Sequence, residues 1–155
     1  METVIHQPTD IKAEHLRQII DLVVTGGQIK REGLQEKILR ADYVAYKLKD
    51  NQVICTATLK NPYNSYRTKV FNSAKAMTSL KYEKELGYIA THPNYEGEGH
   101  CKDLLKTFFS KISSQSIFAT TRKPAMVHIL SKFDFQQTGN IYNKNLILLT
   151  YNGKK

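Results

Sequence analysis

Glu85-Leu86-Gly87-Tyr88-Ile89-Ala90-Thr91-His92-Pro93-Asn94-Tyr95-Glu96-Gly97-Glu98-Gly99-His100-Cys101-Lys102-Asp103-Leu104-Leu105 reads as a buried strand, a turn at Pro93-Asn94, a loop with two glycines, and a helix whose apolar positions begin at Leu104. That order is a device for holding phosphate. Gly97 and Gly99 let the backbone turn tightly and come close to a ligand, and the first N–H groups of the helix have no intrahelical acceptor and face an anion. Glu85 opens the strand well before the loop, so one element carries both a proton acceptor and an anion cradle.

Working outward toward the N-terminus, Val53 to Leu59 is rich in β-branched residues, and Val44, Tyr46 and Leu48 alternate with polar neighbours. Asp50-Asn51 between them predicts a hairpin turn. Upstream, Ile11, Leu16, Ile19, Ile20 and Val23 recur at helical spacing after a cap at Thr9 or Asp10, and Gly26-Gly27 ends the pattern. A shorter helix fits Arg31 to Arg40, a mobile elbow fits Gln28-Ile29-Lys30, and Thr3 to His6 is a short strand. Asn61 to Ser65 reads as loop, Tyr66 to Met77 as one or two helical turns, and Ser79 to Tyr82 as the lead into the next strand. This excursion mixes Tyr63, Tyr66, Arg67, Lys69, Phe71 and Lys75, which suits either the lining of an acceptor site or a surface loop with Phe71 tucked beneath it. Toward the C-terminus, Leu104, Leu105, Phe108, Phe109 and Ile112 form the stripe of a helix over Gly99 to Ser113 that must lie on a sheet. Ser116 to Thr121 is a strand, Pro124 opens another helix, and Phe135 to Thr138 and Ile141 to Tyr151 read as closing strands joined through Gly139-Asn140. Leu146 to Leu149 is too apolar for a water-exposed edge.

The 155 residues, 41% of them hydrophobic, predict one domain over 1-155 with a proper core. The opening residues show no basic leader and no stretch has the length of a membrane span, which points to a cytoplasmic protein. Lysine and arginine outnumber aspartate and glutamate by 23 to 14, a net charge of +9, so anionic partners are favoured: a phosphorylated cofactor, an acidic protein, or, less favoured, a nucleic acid. Cys55 and Cys101 lack metal-type spacing and read as reduced thiols, the histidines lack ligand spacing, and no metal is expected. The loop also lacks the Lys-Ser/Thr ending of a P-loop, and Gly97-Glu98-Gly99 is too short for a dinucleotide fingerprint.

The loop and its flanks resemble the GCN5-related N-acetyltransferase superfamily, whose signature is Gln or Arg, two residues, Gly, one residue, then Gly or Ala. Glu96 stands in the first place, Gly99 in the invariant-type Gly place and Cys101 in the last, so the match is partial. His92-Pro93-Asn94-Tyr95 and Lys102-Asp103-Leu104-Leu105 resemble the family's approach to the loop and its helix start. The order of elements fits from about Thr3 to Tyr151. The resemblance implies an α/β fold with a mixed, mostly antiparallel sheet flanked by about four helices, with a splayed central strand pair. It implies acetyl-CoA as co-substrate, with Ile89, Ala90 and Thr91 pairing with the pantetheine arm. Glu96, Gly97, Glu98, Gly99, His100, Cys101 and Lys102 would surround the pyrophosphate.

Direct transfer to a primary amine of a small molecule or protein is the implied reaction. Glu85 resembles the general base of some members, with Glu83 as fallback. The family's common acid, a tyrosine five residues before the phenylalanine that ends its last helix, is replaced by Leu130. Ser131 and His128 are nearby, Tyr142 and Cys101 are remoter candidates, and a thiolate stabilised by the helix start and Lys102 needs no dedicated donor. A competing expectation is a catalytically weak acyl-CoA-binding sensor or interaction module of the same fold. The sequence leaves open a homodimer and the identity of the acceptor.

Overall fold

A computed structural model of the chain describes residues 1–27, 29–77 and 80–154. Gln28 of the expected elbow and Ser79 of the expected lead-in strand lie outside the described residues. Seven strands order as β1-β2-β3-β4-β5-β7-β6. The pairs β1/β2, β2/β3, β5/β7 and β6/β7 run antiparallel and β4/β5 runs parallel. With five α-helices among the described residues, the architecture is the mixed, mostly antiparallel α/β arrangement expected. Close contacts divide the chain into two units, one of residues 1–60 and 86–111 and one of residues 61–85 and 112–155.

The first unit contains β1 (Thr3–His6), α1 (Ala13–Gly27), α2 (Leu34–Leu39), β2 (Tyr43–Lys49) and β3 (Gln52–Lys60), then most of β4 (Lys84–Thr91) and α4 (His100–Ile112). Asp50 and Asn51 adopt φ of 49° and 65° and turn the β2–β3 hairpin as expected. Alternation along β2 sends its side chains to opposite faces. Val44 and Tyr46 enter a core with Ile19, Ile20 and Val23 of α1, Leu34 and Ile38 of α2, and Tyr88 and Ala90 of β4. Tyr43 and Lys47 face α4 instead, where Lys111 lies over the Tyr43 ring at 4.9 Å and Asp103 meets Lys47 at 2.5 Å. Helix α4 therefore runs antiparallel to β2, with its buried Leu104, Leu105, Phe108 and Phe109 against the sheet. Each such side chain contributes about 1.5–3 kcal/mol of burial.

Tyr88 takes a left-handed φ of 51° inside β4. Glu85 and Leu86 are adjacent and both buried, so both faces of the strand are covered there, while Leu86, Tyr88 and Ala90 are buried at alternate positions.

The second unit holds α3 (Asn64–Ser73), the start of β4, β5 (Ile117–Thr121), α5 (Pro124–Ser131), β6 (Gln136–Gln137) and β7 (Ile147–Tyr151). Its core joins Val70, Phe71 and Ala74 of α3 to Phe118 and Leu148, with Tyr82 and Tyr142 packed against it. Phe71 stacks on Tyr82 at 5.9 Å and meets Phe118 edge-on at 5.4 Å.

Several boundaries depart from expectation. Helix α3 starts at Asn64, not Tyr66, because Tyr63 is extended and its carbonyl accepts from Arg67 N–H at 3.1 Å; it ends before Lys75, whose φ is 55°. Gly33, at φ 76°, delays α2 to Leu34, and Pro8–Asp10 forms a 3-10 turn ahead of α1. Ile141 to Leu146 is not strand. Asn143, Lys144 and Asn145 all have positive φ, and a single bridge pairs Tyr142 with Leu146. Interior β7 does carry the apolar Ile147 to Leu149 segment, between β5 and β6.

Candidate functional site

In the first unit, β4 delivers Ile89, the buried Ala90 and Thr91 to a 3-10 turn at Pro93–Tyr95. His92 fixes the junction. Its N–H donates to the Ile54 carbonyl at 2.7 Å, and its Nδ1 accepts from the Asn94 N–H at 3.1 Å. Beyond the turn, Gly97 and Gly99 adopt φ of 77° and 84°, and a Cβ at either would meet none of the described residues within 4 Å. Helix α4 starts at His100, and its first backbone bond runs from Asp103 N–H to the Gly99 carbonyl at 3.0 Å. Among the described residues, the amides from Gly97 to Lys102 donate to no protein acceptor. Open space above two left-handed glycines and a run of unspent donors at a helix start fit a diphosphate.

The side chains around this loop form a frame that the sequence did not announce. Tyr95 lies edge-on between His92 at 5.7 Å and His100 at 6.0 Å, with Lys49 over its ring at 5.2 Å. Glu98 pairs with His100 at 3.2 Å. Lys102 is exposed beside the loop. Cys101 is partly buried, and burial pushes its thiol up to about 11, outweighing the helix start, which acts the other way.

In the second unit, Glu85 is 2% exposed as the second residue of β4, paired in the ladder with Phe118. The Tyr66 hydroxyl of α3 donates to Glu85 Oε2 at 3.1 Å. Tyr66 is 39% exposed overall, while its hydroxyl is directed at the buried Glu85. Burial first, then the Glu85 charge, raises that phenol far above its ordinary range, while a bond with the Thr120 side chain acts oppositely. Glu85 is thus a buried carboxylate with a phenol as hydrogen-bond donor to its Oε2. Glu83 is exposed and lies ahead of the strand.

The acid candidates separate clearly. Leu130 is buried and apolar, His128 is exposed, and the Ser131 hydroxyl donates to the His128 carbonyl of its own helix at 2.7 Å. Pairing over distances of 19 to 46 residues, as between Tyr66 and Glu85 or Tyr95 and Lys49, leaves no local periodicity. Only the basic and aromatic composition of the Tyr63 to Lys75 excursion pointed toward Tyr66.

No family model and no curated protein matches the sequence. Solved structures do match the fold. An acyl-CoA N-acyltransferase from Pseudomonas aeruginosa aligns with a TM-score of 0.72 at 10% identity, covering 97% of this chain and 98% of that one. A GNAT-family acetyltransferase from Streptococcus agalactiae gives 0.71 at 15% identity, covering 99% and 96%. A GNAT-family acetyltransferase from Elizabethkingia anophelis with acetyl-CoA bound gives 0.64 at 15%, covering 97% of each chain. The chain has the fold of the GCN5-related N-acetyltransferases.

Proposed function

We propose that this chain, folded as the GCN5-related N-acetyltransferases are, moves an acetyl group from acetyl-CoA to a primary amine of a small molecule or protein. The observation that carries the reading is the row of unspent amides from Gly97 to Lys102 beneath open space at the start of α4. Backbone donors at a helix N-terminus grip a diphosphate whatever the side chains are, so Glu96 and Cys101 in the signature places are tolerated. Ile89, Ala90 and Thr91 would offer strand-like pairing to the pantetheine arm.

Acetyl-CoA supplies an activated thioester carbonyl. Glu85 takes a proton from the acceptor ammonium, which frees a lone pair for the carbonyl carbon. As the N–C bond forms and the C–S bond breaks, nitrogen gives up a second proton and the departing sulfur gains one. With Leu130 apolar, Lys102 and the positive end of α4 are the groups of the loop that favour the thiolate until it is protonated.

Two measurements test this. Calorimetry with coenzyme A should give saturable heat, and labelled acetyl-CoA should acetylate at least one member of a pool of amines and peptides. Glu85→Gln should abolish transfer and leave coenzyme A binding intact. Absence of heat with coenzyme A sinks the reading. Binding without transfer to any amine would instead favour the sensor module.

A further inference from the structure

Tyr142 follows β6 in the second unit, and its hydroxyl is buried with no hydrogen-bond partner among the described residues. A buried hydroxyl left unpaired is destabilising. Phenylalanine would fill the same space without that cost, so the group calls for an explanation. Its placement is not slack. Tyr142 N–H donates to the Leu146 carbonyl at 3.0 Å and Leu146 N–H returns to Tyr142 at 2.8 Å. Arg122, just past β5, ties down the tip, donating from Nε to the Lys144 carbonyl and from Nη2 to the Asn143 carbonyl, both at 3.0 Å. Three consecutive left-handed residues are held there at once.

The sheet register shows what the phenol faces. Glu85 pairs with Phe118, Thr120 lies two residues along β5 on the same face, and Thr120 pairs with Leu148 of β7. Tyr142 packs on the cluster of Phe118, Leu148 and α3, the helix that sends the Tyr66 hydroxyl to Glu85. One carboxylate and two phenols therefore share one face of this unit. The Glu85 charge is felt at both phenols, which agrees with that geometry.

Resting on the reading of Glu85 as proton acceptor, we infer that Tyr142 is a substrate-contacting residue, its hydroxyl reserved for the primary ammonium group that delivers its proton to Glu85. The ammonium carries three N–H donors. Glu85 takes one, and the Tyr142 oxygen takes a second and keeps the nitrogen in place after the proton has left. Tyr66 is a positioning residue, orienting the carboxylate through Oε2. The loop after β6 thereby contributes to the site a hydroxyl that Leu130 on α5 does not.

The test uses the full chain labelled with 13Cζ-tyrosine and titrated with propylammonium, with 1-propanol as uncharged control. The Tyr142 resonance should move with propylammonium and not with 1-propanol. Tyr142→Phe should weaken propylammonium binding about tenfold, the size of one hydrogen bond to a charged group, and its urea midpoint should stay level or rise. A silent Tyr142 resonance in the parent, or unchanged propylammonium affinity in Tyr142→Phe, overturns the inference. So does a fall in the midpoint without a change in affinity, which would make the hydroxyl structural. This titration needs no acetyl-CoA. A responding Tyr142 in a chain that fails to bind coenzyme A would uphold the subsite while sinking the acetyl-transfer reading.

Discussion

Lys47 is 4% exposed on β2, and its ammonium meets the Asp103 carboxylate on the first turn of α4 at 2.5 Å. A buried cation that loses its counter-ion is left to bear its desolvation alone, whereas an apolar replacement bears none. Asp103→Asn should accordingly lower unfolding stability by roughly 1–3 kcal/mol, less than a fully buried pair because Asp103 is largely exposed. Lys47→Met should be near neutral. Equal losses from both, in urea denaturation, would show that the pair itself stabilises. Glycines give a second contrast. Gly99→Ala meets no atom and costs only its left-handed φ, about 1 kcal/mol, so coenzyme A affinity should suffer more than folding. Gly139→Ala combines φ of 72° with a Cβ 2.3 Å from the Ala74 carbonyl oxygen, and should cost roughly 2–4 kcal/mol in the same assay. At this scale the sequence told which glycines turn left-handed ahead of α4, since Gly97 and Gly99 lie between a strand and an amphipathic helix. It could not show Lys47 under Asp103, because 56 residues separate them and a lysine within β2 reads as a solvated one.

Helix α4 was legible as an element because its stripe from Leu104 to Ile112 has one period and one buried side. The loop ahead of it is where ligand binding should register. Amide exchange from Gly97 to Lys102 should slow on adding coenzyme A while exchange in α3 stays as it was, and an unchanged loop would count against the diphosphate cradle. The closing hairpin departs from its sequence pattern for a non-local reason. Ile141 to Tyr151 has strand-like composition, but Arg122 captures two carbonyls at its tip and three residues turn left-handed, so pairing resumes only at Ile147. That capture crosses 21 and 22 positions and is invisible to periodicity. Arg122→Ala should therefore speed exchange around Asn143 to Leu146 and lower propylammonium affinity through Tyr142, with little effect on α4. Helix α3 is a milder case. Its weakly amphipathic sequence hid its start, but the Phe71 contact anticipated beneath it is present.

Across the whole molecule, the groups with raised pKa point one way. Burial pushes Cys101 up to about 11 and Cys55 to about 12, against an ordinary 9.0. Burial also raises Tyr46, Tyr66 and Tyr142 above the ordinary 10.0, the latter two with help from the Glu85 charge. In each case the folded chain holds its proton more tightly than the unfolded one. The stability these groups contribute is complete below pH 9 and is lost as pH rises through the thiol values and on toward the phenols. Loss of lysine charge at high pH works against this by relieving the self-repulsion of a chain at +9. Added salt screens that second effect and leaves buried groups nearly untouched. Melting temperature at high ionic strength should thus stay level to about pH 9 and fall beyond it, and Tyr142→Phe should fall less steeply because it has one phenol fewer to ionise. The acid limb has the opposite origin: the hydrogen bond from Lys47 and then its charge lower Asp103, so its contribution is present above pH 3.8 and disappears as pH drops through the folded value. A profile that stays level to pH 11 in salt would mean that water reaches these thiols and phenols freely, and with it the enclosed setting argued for Glu85 and its two tyrosines would be lost.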